Sequence, residues 1–212
     1  ITFDIFDTLI KRDCQSPENV FELIDEKKTF LREKFINERY NAEKKLYKQN
    51  LIPTLMEIYE NTSLDSRQIE ELVKLENEIE TDVACANKPI YDIYLECIKA
   101  GKKVYAISDM YLSNRVLSNI LIKCGYNIEK IWISAECKCN KASGKLFERF
   151  LSDVDCDPAN VLHIGDSYKA DIEGAQKQGI ASFLIPRKID NLTYLKKGKY
   201  ENYWEKRFLY PF

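Results

Sequence analysis

No apolar run in this 212-residue sequence reaches the roughly 20 residues that a membrane-spanning helix needs, so no membrane partner is expected. An excess of charge of either sign is also missing. Lys and Arg number 32 against 34 Asp and Glu, a net charge of −2, and this balance argues against a polyanion-binding surface and against nucleic acid as a partner. No secretory leader is legible, and Ile1 in first position reads as a trimmed N-terminus. The seven cysteines (14, 85, 97, 124, 137, 139 and 156) are odd in number and scattered through a chain rich in Lys and Glu. Reduced, mostly buried thiols and a cytoplasmic location are the economical expectation. Cys137-Lys138-Cys139 has no second pair nearby, so no zinc site is expected there. Histidine occurs once, at His163 inside an apolar strand-like run, and is expected to be a packed core residue.

What the chain does have is a pair of strand-like runs that end on acids. ITFDIFDTL opens the chain and stops its first apolar run at Asp4; VLHIGDSYKAD stops another at Asp166. In open parallel sheets ligands bind beyond the carboxyl ends of the strands, so the two acids can share one crevice. Converging carboxylates there suit a hard cation such as Mg²⁺ and a phosphate that it holds.

Between these runs the pattern changes twice. Residues from about Ser16 to Val83 read as helices without a strand signal. Ser16-Pro17 opens a first helix with Val20, Phe21 and Ile24 on one face, and a second covers Phe30 to Lys48. Pro53-Thr54 restarts a helix, and Asp65 to Gln68 forms a capping box ahead of Ile69, Leu72, Val73, Glu76, Ile79 and Val83. From Lys88-Pro89 strands and helices alternate. Helices are expected over 90–100, 112–123, 144–151 and 170–178, and strands over 104–107, 131–134, 161–164 and 181–185. The expectation is an α/β fold: a Rossmann-like parallel sheet with helices on both faces, residues 1–13 and 88–212, interrupted by an all-helical cap at 14–87. The tail after Pro186, rich in Lys, Tyr and Trp, reads as a packing or oligomer segment.

FDIFDTL, SDMYLS, NKASGKLF and HIGDSYKAD, in this order and with a helical insertion after the first, resemble the motifs of the haloacid dehalogenase (HAD) superfamily, mostly Mg²⁺-dependent phosphatases. The resemblance implies that Asp4 is the nucleophile, attacking phosphorus to give an aspartyl-phosphate, and that Thr8 helps hold phosphate. Ser108, with Asp109 beside it, matches the second motif, whose hydroxyl and backbone N–H groups cradle phosphate oxygens. Lys141 matches the lysine that neutralises nucleophile and phosphoryl group, with Ala142 where the family writes proline; Lys145 is its competitor. Asp166 completes Mg²⁺ coordination with Asp4 and the carbonyl of Phe6, while Asp171 orients Lys141 or a metal-bound water. Gly165 lets the chain turn sharply off its strand.

One departure matters. Most phosphatases of the family carry a second Asp two residues after the nucleophile as general acid and base. Here that position is Phe6, followed by Asp7 where glycine is usual. Dehalogenases of the superfamily also place an aromatic there but lack the acidic fourth motif. The implied function is a Mg²⁺-dependent phosphatase of a small phosphorylated metabolite. The alternatives are a dehalogenase-type hydrolase, or a weak or inactive module that binds a phospho-ligand or a partner. The narrower likeness of FDIFDTL, SDMYLS and HIGDS is to a subgroup tied to bacterial surface-polysaccharide synthesis. It implies a sugar or amino-alcohol phosphate as substrate and association or fusion with a glycosyltransferase.

Overall fold

Five short apolar runs lie side by side in a parallel sheet: β1 (Thr2–Phe3), β4 (Tyr105–Ser108), β5 (Ile131–Ile133), β6 (Leu162–Gly165) and β7 (Ala181–Leu184), in the order β5-β4-β1-β6-β7. This computed structural model describes residues 1–13 and 34–185. The helix expected from Ser16-Pro17, with Val20, Phe21 and Ile24, the start of the one expected from Phe30, Cys14 and the tail from Pro186 on lie outside the described residues.

β1 is central because it is covered on both faces: its alternating residues Thr2 and Phe3 are both fully buried. Alternation sorts neighbouring side chains of β4 into two cores. Ala106 packs with Phe3, Leu117 and Ile120, whereas Ile107 packs with Trp132, Phe147 and Phe150. The first core is covered by α4 (Lys88–Lys99) and α5 (Asn114–Lys123). The second is covered by α7 (Lys145–Val154), which follows the short α6 (Ser134–Cys137). The chain builds outward from β1 through β4 to β5 and then crosses back to β6. The sheet therefore reverses direction at β1, where ligand crevices form in such folds.

The helical insertion contains α1 (Lys34–Lys48), α2 (Leu55–Glu60) and α3 (Ser66–Val83). Thr54 and Asp65 each close a reciprocal capping box, with Glu57 and Gln68, as the sequence pattern at 65–68 predicts. Where the chain leaves and re-enters the sheet, β2 (Ile10–Arg12) pairs antiparallel with β3 (Ala84–Ala86), a ribbon that three-residue strands without alternation do not announce. Two helix starts also differ from expectation. α5 begins at Asn114 rather than Leu112 because the Ser113 hydroxyl accepts the Val116 N–H and caps it there. The single helix expected over 170–178 is a π-helical turn, Tyr168–Glu173, running into the short α8 (Gly174–Gln176). Such turns recur at functional sites.

Candidate active site

Asp4 leaves the end of β1 with its N–H donated to the Ile164 carbonyl (2.9 Å), and Asp166 follows the end of β6 directly. Both acids are buried, at 6% and 9% exposure. With Asp171 from the π-helical turn they form a cluster in which one oxygen of each lies within 4.8 Å of the others.

Lys141 enters this cluster and Lys145 does not. The Lys141 ammonium donates to Asp4 Oδ1 at 2.5 Å and to Asp171 Oδ1 at 2.6 Å, whereas Lys145 opens α7 and is exposed. Two features hold the Lys141 backbone. Its N–H donates to the Asp109 carboxylate (3.0 Å), and its carbonyl rests on Gly174, where a Cβ would stand 2.2 Å from that oxygen. The Asp109 carboxylate is thus committed to Lys141, so a phosphate contact from this residue falls to its backbone N–H. Gly165 is required for a related reason: a Cβ there would lie 2.2 Å from Asp171 Cγ. The sharp turn expected of Gly165 is, in the structure, chiefly room for this acid.

Asp171 is fully engaged. Its Oδ1 receives Lys141 and lies 3.0 Å from His163 Nε2, while its Oδ2 accepts the Ser167 N–H (2.8 Å). Asp4 and Asp166, at the ends of β1 and β6, are the pair placed side by side to face a cation. Ser108, at the end of β4, is buried, and the loop after it is pinned by Met110 N–H donating to Ser134 Oγ (3.0 Å). Thr8 Oγ1 is buried without a protein hydrogen-bond partner. A buried hydroxyl left so is costly unless a ligand satisfies it.

The charges are unequal. Burial, the largest influence, pushes the Asp4 carboxyl up to about 7 against the pull of Lys141, and Asp171 and Asp166 push the same way. Burial also raises Asp171, but the Lys141 charge and the His163 contact outweigh it and hold that carboxyl well below the usual range. Three buried carboxylates face one ammonium. A hard divalent cation ligated by Asp4 and Asp166 fits this donor set and its surplus negative charge.

Phe6, two residues after Asp4, is half-buried, and the Arg12 guanidinium sits 4.1 Å from its ring centroid. Arg12 is itself held by two hydrogen bonds to Glu80 of α3 (2.8 and 2.9 Å). Asp7 adopts φ 60, a left-handed conformation that Asp tolerates better than most residues, and its side chain is exposed. The helical insertion reaches the site's rim through contacts that include Leu55 N–H to the Tyr111 carbonyl (2.9 Å) and Lys138 to Glu57 (2.7 Å) and to the Ile52 carbonyl (3.1 Å). A groove between α3 and α5, lined by Met56, Val73, Asn77 and Arg115, contains none of Asp4, Asp166 and Asp171.

Sequence reasoning did not single out Gly174, Ser134 or the Asp109 clamp, and treated His163 as core alone. His163 is indeed fully buried and packs edge-on against Phe147. Its contact with Asp171 is foreshadowed only by the one imidazole lying three residues before Asp166.

Comparison with known proteins bears on the family and the fold. Residues 138–204 match the HAD-hydrolase-like family model. Mouse haloacid dehalogenase-like hydrolase domain-containing protein 3 is 32% identical over 91 residues, a stretch spanning 42% of this chain and 35% of that protein. Among solved structures, a HAD family enzyme of Bacteroides thetaiotaomicron superposes with a TM-score of 0.60 at 19% identity, covering 92% of this chain and 96% of that one. The same enzyme in complex with magnesium and inorganic phosphate gives 0.56 at 19% identity over 91% and 96% of the two chains. L-2-haloacid dehalogenase of Xanthobacter autotrophicus gives 0.62 at 12% identity over 98% and 86%. At these identities the structural likeness is one of fold. The family model and the curated relative match part of the chain to HAD-hydrolase-like sequences, and the solved structures share its fold.

Proposed function

We propose that this chain, with its HAD-like fold, is a Mg²⁺-dependent phosphatase of a small phosphorylated metabolite. The observation that carries the reading is the Asp4–Lys141 contact at 2.5 Å inside a cluster completed by Asp166. Dehalogenases share the fold, but displacement at carbon by one aspartate needs no cation, whereas Asp4 paired with Asp166 suits a cation with phosphate. The relative solved with magnesium and inorganic phosphate supports the same choice.

In this scheme an Asp4 carboxylate oxygen attacks phosphorus as the bond from phosphorus to the leaving oxygen breaks, and the electron pair departs with that oxygen. Lys141 offsets the charge gathering between nucleophile and phosphoryl group, already oriented by Asp171. Thr8 Oγ1, Ser108 and the N–H groups of the loop after β4 hold the phosphoryl oxygens. Mg²⁺, held by Asp4, Asp166 and the Phe6 carbonyl, would supply further neutralisation of phosphate charge. Water then attacks phosphorus and gives up a proton to solvent, the bond to Asp4 breaks with its electron pair going to the carboxylate, and phosphate leaves with Asp4 restored. Phe6 provides no proton for the leaving oxygen, so the proton comes from solvent, and good leaving groups are favoured.

Phe6 also supports a second reading, a phospho-ligand-binding module with little turnover. The surface-polysaccharide setting, with a sugar or amino-alcohol phosphate as substrate and a glycosyltransferase as companion, rests on the motif resemblance alone. The deciding experiment is phosphate release from a panel of small phosphoesters in Mg²⁺ or EDTA, beside Asp4→Asn. Release that needs Mg²⁺ and vanishes in the variant is the expected result. No release from any ester by folded, Mg²⁺-binding protein selects the binding module.

A further inference from the structure

Behind the acidic cluster a line of polar contacts runs through the sheet. Thr2 and His163 are register partners across β1 and β6, both fully buried, with Thr2 Oγ1 2.9 Å from His163 Nδ1. His163 Nε2 then lies 3.0 Å from Asp171 Oδ1, the oxygen that also receives the Lys141 ammonium. The hydrogen positions follow from the partners. Asp171, beside a lysine, is an ionised acceptor, so Nε2 carries a proton. Burial holds the imidazole neutral, which leaves Nδ1 as acceptor and the Thr2 hydroxyl as its donor. The edge-on Phe147 ring, 4.8 Å away, fixes the imidazole plane.

We propose that His163, oriented by Thr2, is a positioning residue for the lysine: it locks Asp171 so that the Lys141 ammonium is presented to Asp4. This deepens the phosphatase reading and rests on it for its kinetic test. An ion pair alone would let Asp171 rotate about its side-chain bonds. The imidazole N–H, with Ser167 N–H on the other oxygen, removes that freedom. Supporting groups of this kind commonly govern activity by about 10–100-fold although they touch no substrate.

The test uses two variants and one spectrum. His163→Phe keeps a ring against Phe147 but removes both hydrogen bonds; His163→Gln keeps a donor near the Nε2 position. Expected are a kcat about 10–100-fold lower for His163→Phe with KM within about twofold, and recovery of most of that loss in His163→Gln. Equal kcat in all three proteins, or equal losses in both variants in step with their thermal stability, overturns the proposal. Because the chain has one histidine, its imidazole nitrogen signals are unambiguous in a ¹⁵N NMR spectrum of tag-free protein. A neutral ring protonated at Nε2, whose signal moves in Lys141→Met, is expected. A ring protonated at Nδ1, or a signal indifferent to Lys141→Met, overturns it. Where wild type hydrolyses no ester, the phosphatase reading falls and the spectrum alone decides whether His163, Asp171 and Lys141 act as one unit.

Discussion

Gly174 lies so close beneath Lys141 that a Cβ on it would stand 2.2 Å from the lysine's carbonyl oxygen and 2.9 Å from its carbonyl carbon. Backbone contacts of this kind cannot be relieved by turning a side chain. Gly174→Ala therefore displaces the loop that delivers the ammonium to Asp4. A misplacement near 1 Å can cost about 10²-fold in rate. Phosphate release from the variant, compared at equal folded fraction by thermal unfolding, is expected to fall by about that factor. Unchanged release would mean that Lys141 is not the lysine that matters.

Phe6→Asp tests the missing general acid. Wild type is expected to hydrolyse aryl phosphates well and alkyl phosphates poorly, since nothing at position 6 protonates the leaving oxygen. General acid catalysis commonly contributes ~10²–10⁴-fold. The new carboxylate would lie beside Arg12, which now covers the Phe6 ring at 4.1 Å and would lower its pKa, leaving little of the protonated form that donates to the leaving oxygen. The expected gain is therefore about tenfold on alkyl esters and little on aryl esters, read as initial rates across a leaving-group series. A flat series in wild type would show that another group already supplies the proton.

The cation is testable without turnover. The folded-state pKa of Asp4 is raised by burial to about 7, while in the unfolded chain it lies near 4. Between these values the folded protein binds more protons than the unfolded one at this site, so Asp4 removes stability as pH rises from about 4 to about 7. In EDTA, wild type should lose stability relative to Asp4→Asn across that window. Mg²⁺ should raise the wild-type melting temperature most at its upper end, and the variant's far less. Parallel stability profiles for the two proteins, with no response to Mg²⁺, would rule out a cation on Asp4.

The strand-ends Asp4, Asp166 and Ser108 were legible because apolar runs stopping on polar residues carry the parallel-sheet pattern in one dimension. Lys141 was legible through its motif, and the structure separates it from Lys145 by placing the latter on an exposed helix start. What could not be read depends on approach between distant segments. Gly165 and Gly174 are ordinary glycines until Asp171 and Lys141 fold against them. His163 looks like core in its strand and gains its partners Thr2 and Asp171 only across the sheet. The ribbon of β2 and β3 escaped because its two halves are separated by the whole insertion, and neither is long enough to alternate.

Within the insertion, Arg39 and Glu76 are both fully buried and paired through two hydrogen bonds, 2.8 and 3.1 Å, while Tyr59 donates to the same carboxylate at 2.6 Å. The Arg39 guanidinium also faces the Tyr111 ring, at 4.9 Å, on the loop that follows Ser108. Removing Glu76 strips two hydrogen bonds from the buried guanidinium while Glu43 stays on it at 2.6 Å, a cost at the lower end of the range for broken buried pairs, about 3 kcal/mol. Glu76→Ala is expected to lose that much in denaturant unfolding. The double variant Arg39→Met, Glu76→Leu should recover part of the stability, because an apolar pair needs no desolvation of charge although the buried Tyr59 hydroxyl loses its Glu76 acceptor. The same double variant separates stability from function. The Tyr111 carbonyl receives Leu55 N–H at the site's rim. If Arg39 against the ring holds that loop in place, the double variant will fold well yet show a raised KM for phosphoesters. Wild-type KM in the stable double variant would limit the cluster to holding the insertion's helices together.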